Sequence, residues 1–358
     1  MDELMSRLAL IRAQVEADAP RNRFSSRLVG MLLLLALLVL LPVLFSGPCG
    51  TGRANAGEPR AELMKRAYDV KASGGILYSA VEYGLVMWDI SGTGPPVRLG
   101  AIEIPGSAVS VTVSGRTAFV CAGPYGLYVI DVSNPRAPKL LSRLDTPGSA
   151  MQIAVSGRMG YLADGTVGTA VLDLKDLRAP VEVGRLGTAD YVRGVALAKD
   201  TLLTAEDRGG LNIRRLTHRK GGLRRPGPAV NVPVSGQARA VLVHGGRAWV
   251  AAGSGGLSVV ELRPGRRPHV VVTVSTGGVA RGLCVQRDGF LLVSAGSAGV
   301  KVFDLSRPDG TADVGGFALP NASAIRIAAA GNRAFVAYDF MGIRVLDMSK
   351  PFRPVQIQ

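Results

Sequence analysis

Residues 126–138 read GLYVIDVSNPRAP, a glycine, an apolar run ending in an acid, and a Ser-Asn-Pro turn. The run LYVID (127–131) is short, β-branched and aromatic, and apolar enough to be a strand buried on both faces. On its amino-terminal side lie SAVSVTVSG (107–115), a strand closing in Ser-Gly, and TAFVCAGPYG (117–126), a strand leading into a Gly-rich hairpin. On its carboxyl-terminal side KLLSRLD (139–145) supplies a fourth strand. Four strands of about five residues with their turns need about forty residues.

That length is the period of the chain. Gly84, Gly126, Gly168, Gly210, Gly256, Gly299 and Gly342 each precede a short apolar run, at intervals of 42, 42, 42, 46, 43 and 43 residues. A period of this length marks a repeat architecture. The glycine column supplies the positive φ that a tight hairpin demands. Five residues further on, six of seven copies carry an acid: Asp89, Asp131, Asp173, Glu261, Asp304 and Asp347. An aspartate there can accept from backbone N–H groups just ahead and set the turn. Pro135, Pro308 and Pro351 then end the strand, because proline has no N–H for a ladder.

A single four-stranded sheet with two apolar faces cannot hide them. Stacking seven around an axis buries both faces of each, so residues 67–358 are predicted to form an all-β, seven-bladed β-propeller of four-stranded antiparallel blades. Composition agrees, with 46 Gly, 21 Pro and 5% aromatic residues in a chain that is 47% apolar. The string G-L-x-V-I-D-V-S-N-P-x-x-P, preceded by A-F-V-C-A, closely resembles the LVIVD repeat of bacterial extracytoplasmic proteins. GIRVLDMSKPFRP (342–354) and GVKVFDLSRP (299–308) are similar to it as well. The resemblance implies a propeller, exported or surface-associated, and no particular activity. Copy four departs from the pattern: Arg215 replaces the acid, and GLNIRRLTHRKGGLRRPGP (210–228) is about four residues longer. The closing residues PVQIQ (354–358) either finish blade seven or pair with blade one as a latch.

Ahead of the repeats, residues 28–45 (LVGMLLLLALLVLLPVLF) hold no charge over eighteen positions. As a helix they would measure about 27 Å, near the thickness of a bilayer's hydrocarbon core. Arg21, Arg23 and Arg27 precede them and the next charge is Arg53, an orientation that leaves everything downstream outside the cytoplasm. The segment is read as a retained transmembrane anchor. The alternative is a signal core cleaved at the A-x-A site Ala54-Asn55-Ala56, and lipidation of Cys49 is a third reading that Pro48 disfavours. Residues 1–27 are then a cytoplasmic segment whose Leu4, Leu8, Ile11 and Val15 line one face of a short helix, and residues 46–66 are a linker.

The net charge of +15 is uneven: residues 193–267 hold fourteen basic and four acidic residues. Two groups stand out. VRGV (192–195), ARAV (238–241) and ARGL (280–283) put Arg193, Arg239 and Arg281 at one point of the inner strand in three copies, where cations can converge at the mouth of a central channel. RRLTHRKGGLRR (214–225) packs Arg214, Arg215, Arg219, Lys220, Arg224 and Arg225 into one outer loop, suited to anionic lipid headgroups or acidic surface polymer. Against both stands a plain solvated cationic surface in a chain where 34 of 42 basic residues are Arg. Nucleic acid is not expected, since aromatics do not interleave with the cations.

No nucleophile, metal or phosphate-loop motif is present, and His218, His244 and His269 lack ligand spacing. Cys121 and Cys284 fall in strands of non-adjacent copies and read as packed thiols. The acidic column offers one carboxylate per blade, which suits turns better than calcium. The expectation is therefore a non-enzymatic binding or scaffold module without cofactor or metal, tethered to the cytoplasmic membrane and facing an unknown protein or anionic partner. The competing reading is an enzyme with an axial site, a lactonase-like hydrolase or a quinone-dependent dehydrogenase.

Overall fold

The computed structural model describes residues 66–218, 224–263, 265–286, 289–306 and 312–357, with the side chains of His218, Arg224, Arg225 and Ala312 left aside. Every regular element among them is a strand, and the strands form seven four-stranded antiparallel sheets, each made of four consecutive strands. Blade two shows how the sequence produces one sheet: β5 (Ser110–Ser114), β6 (Thr117–Cys121), β7 (Leu127–Asp131) and β8 (Lys139–Leu144) pair in order. The first strands of the other blades are β1 (Ala67–Ser73), β9 (Gln152–Ser156), β13 (Gly194–Ala198), β17 (Ala240–His244), β21 (Gly282–Gln286) and β25 (Ala324–Ala330). Each packs against the first strand of the next sheet, and β25 packs against β1, so the ring is closed.

The core lies between the blades. Within β7, Leu127 and Val129 pack towards blade three, while Tyr128 and Ile130 pack towards blade two's other neighbour, blade one. All four are fully or almost fully buried. The alternation of side chains along a strand thus feeds two separate cores, which is why the third strand of blade two is apolar up to its closing acid. Seven such clusters occur, one per junction, and the seventh joins Leu77, Val86 and Ile90 of blade one to Phe335, Ala337 and Val345 of blade seven. Arg333 ties the same seam by donating to the carbonyls of Gly94, at 2.9 Å, and of Ile90.

Closure uses packing rather than strand exchange. The last strand, β28 (Val355–Gln356), pairs with β27 (Gly342–Asp347) through Leu346–Gln356 and Asp347–Val355, so PVQIQ finishes blade seven and is not a latch on blade one. Blade four carries its extra residues in a longer outer hairpin, β15 (Leu211–His218) with β16 (Arg224–Val232), where Arg215 sits at a break in register between Arg214 and Leu216. Pro226 and Pro228 are tolerated in β16 because its outer edge needs no ladder.

The glycine column has two physical causes. Gly126 adopts φ +80°, as expected, and a Cβ there would also lie 2.2 Å from the Leu144 carbonyl oxygen of the fourth strand. The acidic column sets turns: Asp89, Asp131, Asp173, Asp304 and Asp347 each accept from the backbone N–H two residues ahead, at 2.8–3.0 Å. The hydrogen bonds hold the Asp89 and Asp131 carboxyls below the usual carboxylate range. Among the described residues no helix is long and apolar enough to cross a membrane, and residues 28–45 lie outside them.

Candidate functional site

In blades two to six the turn between second and third strands reaches across to the start of the next blade's inner strand. Backbone bridges join Gly123 to Ala150, Gly165 to Val192, Asp207 to Ala238, Gly253 to Ala280 and Gly296 to Ala324. These staples hold the entrances of the inner strands at one level around the axis. Arg193, Arg239 and Arg281 sit one residue before β13, β17 and β21, and their N–H groups bond the Ala205, Ala251 and Ser294 carbonyls at 2.8–2.9 Å. The equal register places the three arginines at the same height on three successive blades.

A fourth guanidinium joins them from blade seven. Arg326, one step further along its strand, reaches back so that Nη1 donates to the Arg281 carbonyl at 2.5 Å. The four groups feel one another. Burial, then the neighbouring Arg193 and Arg281, pulls the Arg239 guanidinium below its ordinary pKa. Burial does the same to Arg326, opposed by Asp69 and reinforced by Arg281 and Arg193. The Nε atoms of Arg239 and Arg281 are buried without a hydrogen-bond partner among the described residues.

Two carboxylates offset the four cations. Asp207 accepts from Arg193 Nε and Nη2, both at 2.9 Å, and Arg193 also stacks on the Tyr191 ring at 4.8 Å. Asp207 occupies the staple position filled by Gly123, Gly165, Gly253 and Gly296, and it adopts the same left-handed backbone, with φ +41°. A residue with a Cβ held there stores strain, as residues at functional sites often do. Asp69 is the other carboxylate: it accepts the Val111 N–H at 3.0 Å and lies 3.9 Å from Arg326 Nε, and burial raises its pKa against the pull of Arg326. Below the mouth the inner strands enclose a cavity of about 570 Å³ whose polar lining includes Asp69, Lys71, Gln152, His244 and Arg326.

The inner arginines are therefore brought together, and Arg214 and Arg215 of the outer patch are not part of the same site. The hairpin β15–β16 closes at the opposite face of the ring, since strand direction reverses at each turn. Arg214 is committed to its own surroundings through the Gly227 and Gly187 carbonyls at 3.2 and 3.4 Å, and Arg215 is exposed. Arg219 and Lys220 lie outside the described residues, as do the side chains of Arg224 and Arg225. Of the thiols, Cys121 is buried and Cys284 half-buried, and burial raises the pKa of both.

Sequence reasoning passed over three carboxylates at this face. Asp164 accepts from Thr146 Oγ1 at 2.8 Å and Arg185 Nη1 at 2.7 Å, and Glu206 accepts from the Thr204 and Thr188 hydroxyls and the Ala189 N–H. Both are buried and clamp the connections entering their blades; Asp207 is the third. Their signal was present: DG at 164–165 and ED at 206–207 stand where copies two, five and six read AG.

This architecture defines the class as a seven-bladed β-propeller of four-stranded antiparallel blades. The chain carries LVIVD repeats: residues 65–100, 105–146, 147–188 and 235–262 match the LVIVD repeat, covering blades one, two, three and most of five. No curated protein matches the chain by sequence. Among solved structures, Kluyveromyces lactis Hsv2 superposes with a TM-score of 0.60 at 12% identity, over 82% of this chain and 98% of that one. The computationally designed Ika8 protein gives a TM-score of 0.55 at 10% identity, over 79% and 96% respectively. At such identities the likeness is one of fold alone.

Proposed function

We propose that this propeller is a non-enzymatic binding module, tethered at the outer side of the cytoplasmic membrane by residues 28–45, that takes an anionic group at its channel mouth. The observation that carries the reading is the convergence of Arg193, Arg239, Arg281 and Arg326 against two carboxylates among the described residues, Asp207 and Asp69. Gathering half-buried like charges costs free energy, and a bound anion repays it through charge-assisted hydrogen bonds. The same donor set argues against an axial calcium site, which would want convergent carboxylate and carbonyl oxygens rather than guanidinium groups.

The test is titration of the full chain in detergent with inorganic phosphate, monitored by calorimetry at low ionic strength. Changing Arg239 and Arg281 together to Ser should weaken phosphate binding by at least about tenfold while leaving the melting temperature unchanged or raised. The pair Arg214→Ser and Arg215→Ser, in the third strand of blade four rather than at the axis, should leave phosphate binding unaltered. Undiminished binding in the first variant would remove the mouth from consideration.

A further inference from the structure

The turns between second and third strands carry a second pattern on the same face. In blades three to six they present small or polar residues at their tips: Thr166, Arg208, Ser254 and Ser297 are the exposed positions. In blades seven, one and two the tips carry large exposed apolar or aromatic side chains, beside the half-buried acids Asp339 and Glu82. Phe340 is 64% exposed, Met341 40%, Tyr83 52% and Tyr125 45%. These three blades are consecutive around the closed ring, so the four side chains form one arc on one side of the mouth, although they come from opposite ends of the repeat region.

The arc is held out deliberately. Phe340 has a left-handed backbone, φ +61°, in a three-residue turn closed by the Met341 N–H to the Asp339 carbonyl at 2.8 Å. A bulky residue in that conformation is strained. The strain keeps the ring in solvent, whereas nearly every other phenylalanine of the blades faces inward or packs on a neighbour. Tyr125 is held by close packing on Gly106, where a Cβ would come within 2.2 Å of its ring.

Two further observations say what this face meets. The described chain begins here: the Arg66 guanidinium lies over the Phe340 ring at 4.2 Å, immediately before β1. The uncharged apolar stretch 28–45 ends about twenty residues upstream of Arg66. Even fully extended, about twenty residues reach no more than about 70 Å, so the face where the chain enters the propeller is the one kept within reach of the span. The composition of the arc, two tyrosines, a phenylalanine and a methionine, with Arg326 of blade seven the mouth arginine on the same side, suits the boundary between headgroups and acyl chains.

We infer that the propeller docks on its own membrane by this face. Tyr83, Tyr125, Phe340 and Met341 enter the interfacial layer, and anionic headgroups lie towards the cationic mouth. The inference rests on the tether proposed above. It differs in specifying which face is turned to the lipid, and in predicting that blades four to six stand further from the surface than blades seven, one and two.

The experiment uses the full chain reconstituted into vesicles of phosphatidylcholine alone or with phosphatidylglycerol. Single tryptophans are introduced as Phe340→Trp and Tyr83→Trp in the arc, and as Ser254→Trp and Ser297→Trp on the far side, each read against the background of Trp88 and Trp249. Acyl chains brominated near the headgroup should quench the added fluorescence in the arc at least about threefold more than on the far side, and more strongly with phosphatidylglycerol present. A Phe340→Ser, Met341→Ser variant carrying Tyr83→Trp should lose that contrast while keeping its thermal transition. Equal quenching at the four positions in chain that co-floats with vesicles would overturn the docking alone. Failure to co-float would remove the tether and the docking together. Protection of the Phe340→Trp side chain from an aqueous quencher in native membranes, without quenching in pure lipid, would mean a protein covers the arc and would also overturn the inference.

Discussion

Replacing Asp207 by Asn separates a ligand-binding mouth from a merely structural one. The carboxylate receives two hydrogen bonds from Arg193 at 2.9 Å, so an anion on the far edge of that guanidinium would sit about 6 Å from the carboxylate charge. Over that distance, with an effective dielectric of about 40–80, like charges repel by about 0.7–1.4 kcal/mol. Asn keeps the shape and tolerates the left-handed backbone of φ +41° that Asp207 adopts. The substitution should therefore tighten phosphate binding by about 3- to 10-fold at low salt. It should also lower stability by about 1–2 kcal/mol, because the bonds to Arg193 lose their ionic partner. Calorimetric titration gives the first quantity and denaturant unfolding the second. A structural role alone predicts the loss of stability with no change in affinity. Weaker phosphate binding would mean that Asp207 serves the ligand directly, and either result refutes the electrostatic reasoning.

The remaining predictions concern the repeat itself. Gly126→Ala should destabilise by about 2–4 kcal/mol, because it combines left-handed strain with a Cβ 2.2 Å from the Leu144 carbonyl. Gly115→Ala, at φ +58° with nothing within 4 Å, should cost only about 1 kcal/mol, and equal losses in denaturant unfolding would contradict the second cause assigned to the column. Asp173 is held below the usual carboxylate range, chiefly by its hydrogen bonds from Arg158 and also by the Lys175 N–H. Its contribution is therefore present above the unfolded pKa and lost as pH falls through the folded one. Asp173→Asn should lower the melting temperature at pH 7, with the gap narrowing as pH falls below the unfolded aspartate value of about 4; a gap independent of pH would disprove the ionic origin.

Much of the fold was legible because its causes are local. The hairpin of a blade is set by a glycine and an acid five residues apart, and LYVID declares by its unbroken apolar run that both faces are covered. The second cause of the glycine column was not legible, since the Leu144 carbonyl belongs to a strand eighteen residues away whose approach depends on sheet geometry. The candidate site was half legible. Arg193, Arg239 and Arg281 share a register and so reveal themselves at the repeat period. Arg326 is one residue out of phase, and Asp207 is hidden in a turn where the pattern calls for glycine. Ring closure is likewise ambiguous in sequence, where PVQIQ suits two uses, and pairing with β27 selects one.

By itself the sequence determined the number of blades, the order of their strands and the turns between them, because each depends on residues within one period of about forty. Only the tertiary structure decided which periods become neighbours across the ring. Packing Phe335 against Leu77 closes the circle, and that closure sets Asp69 beside Arg326 and Tyr83 next to Phe340 around the ring. Contacts between residues more than 250 positions apart leave no periodic trace, since nothing local selects them; they follow from burying the two end faces that a linear stack would expose to water.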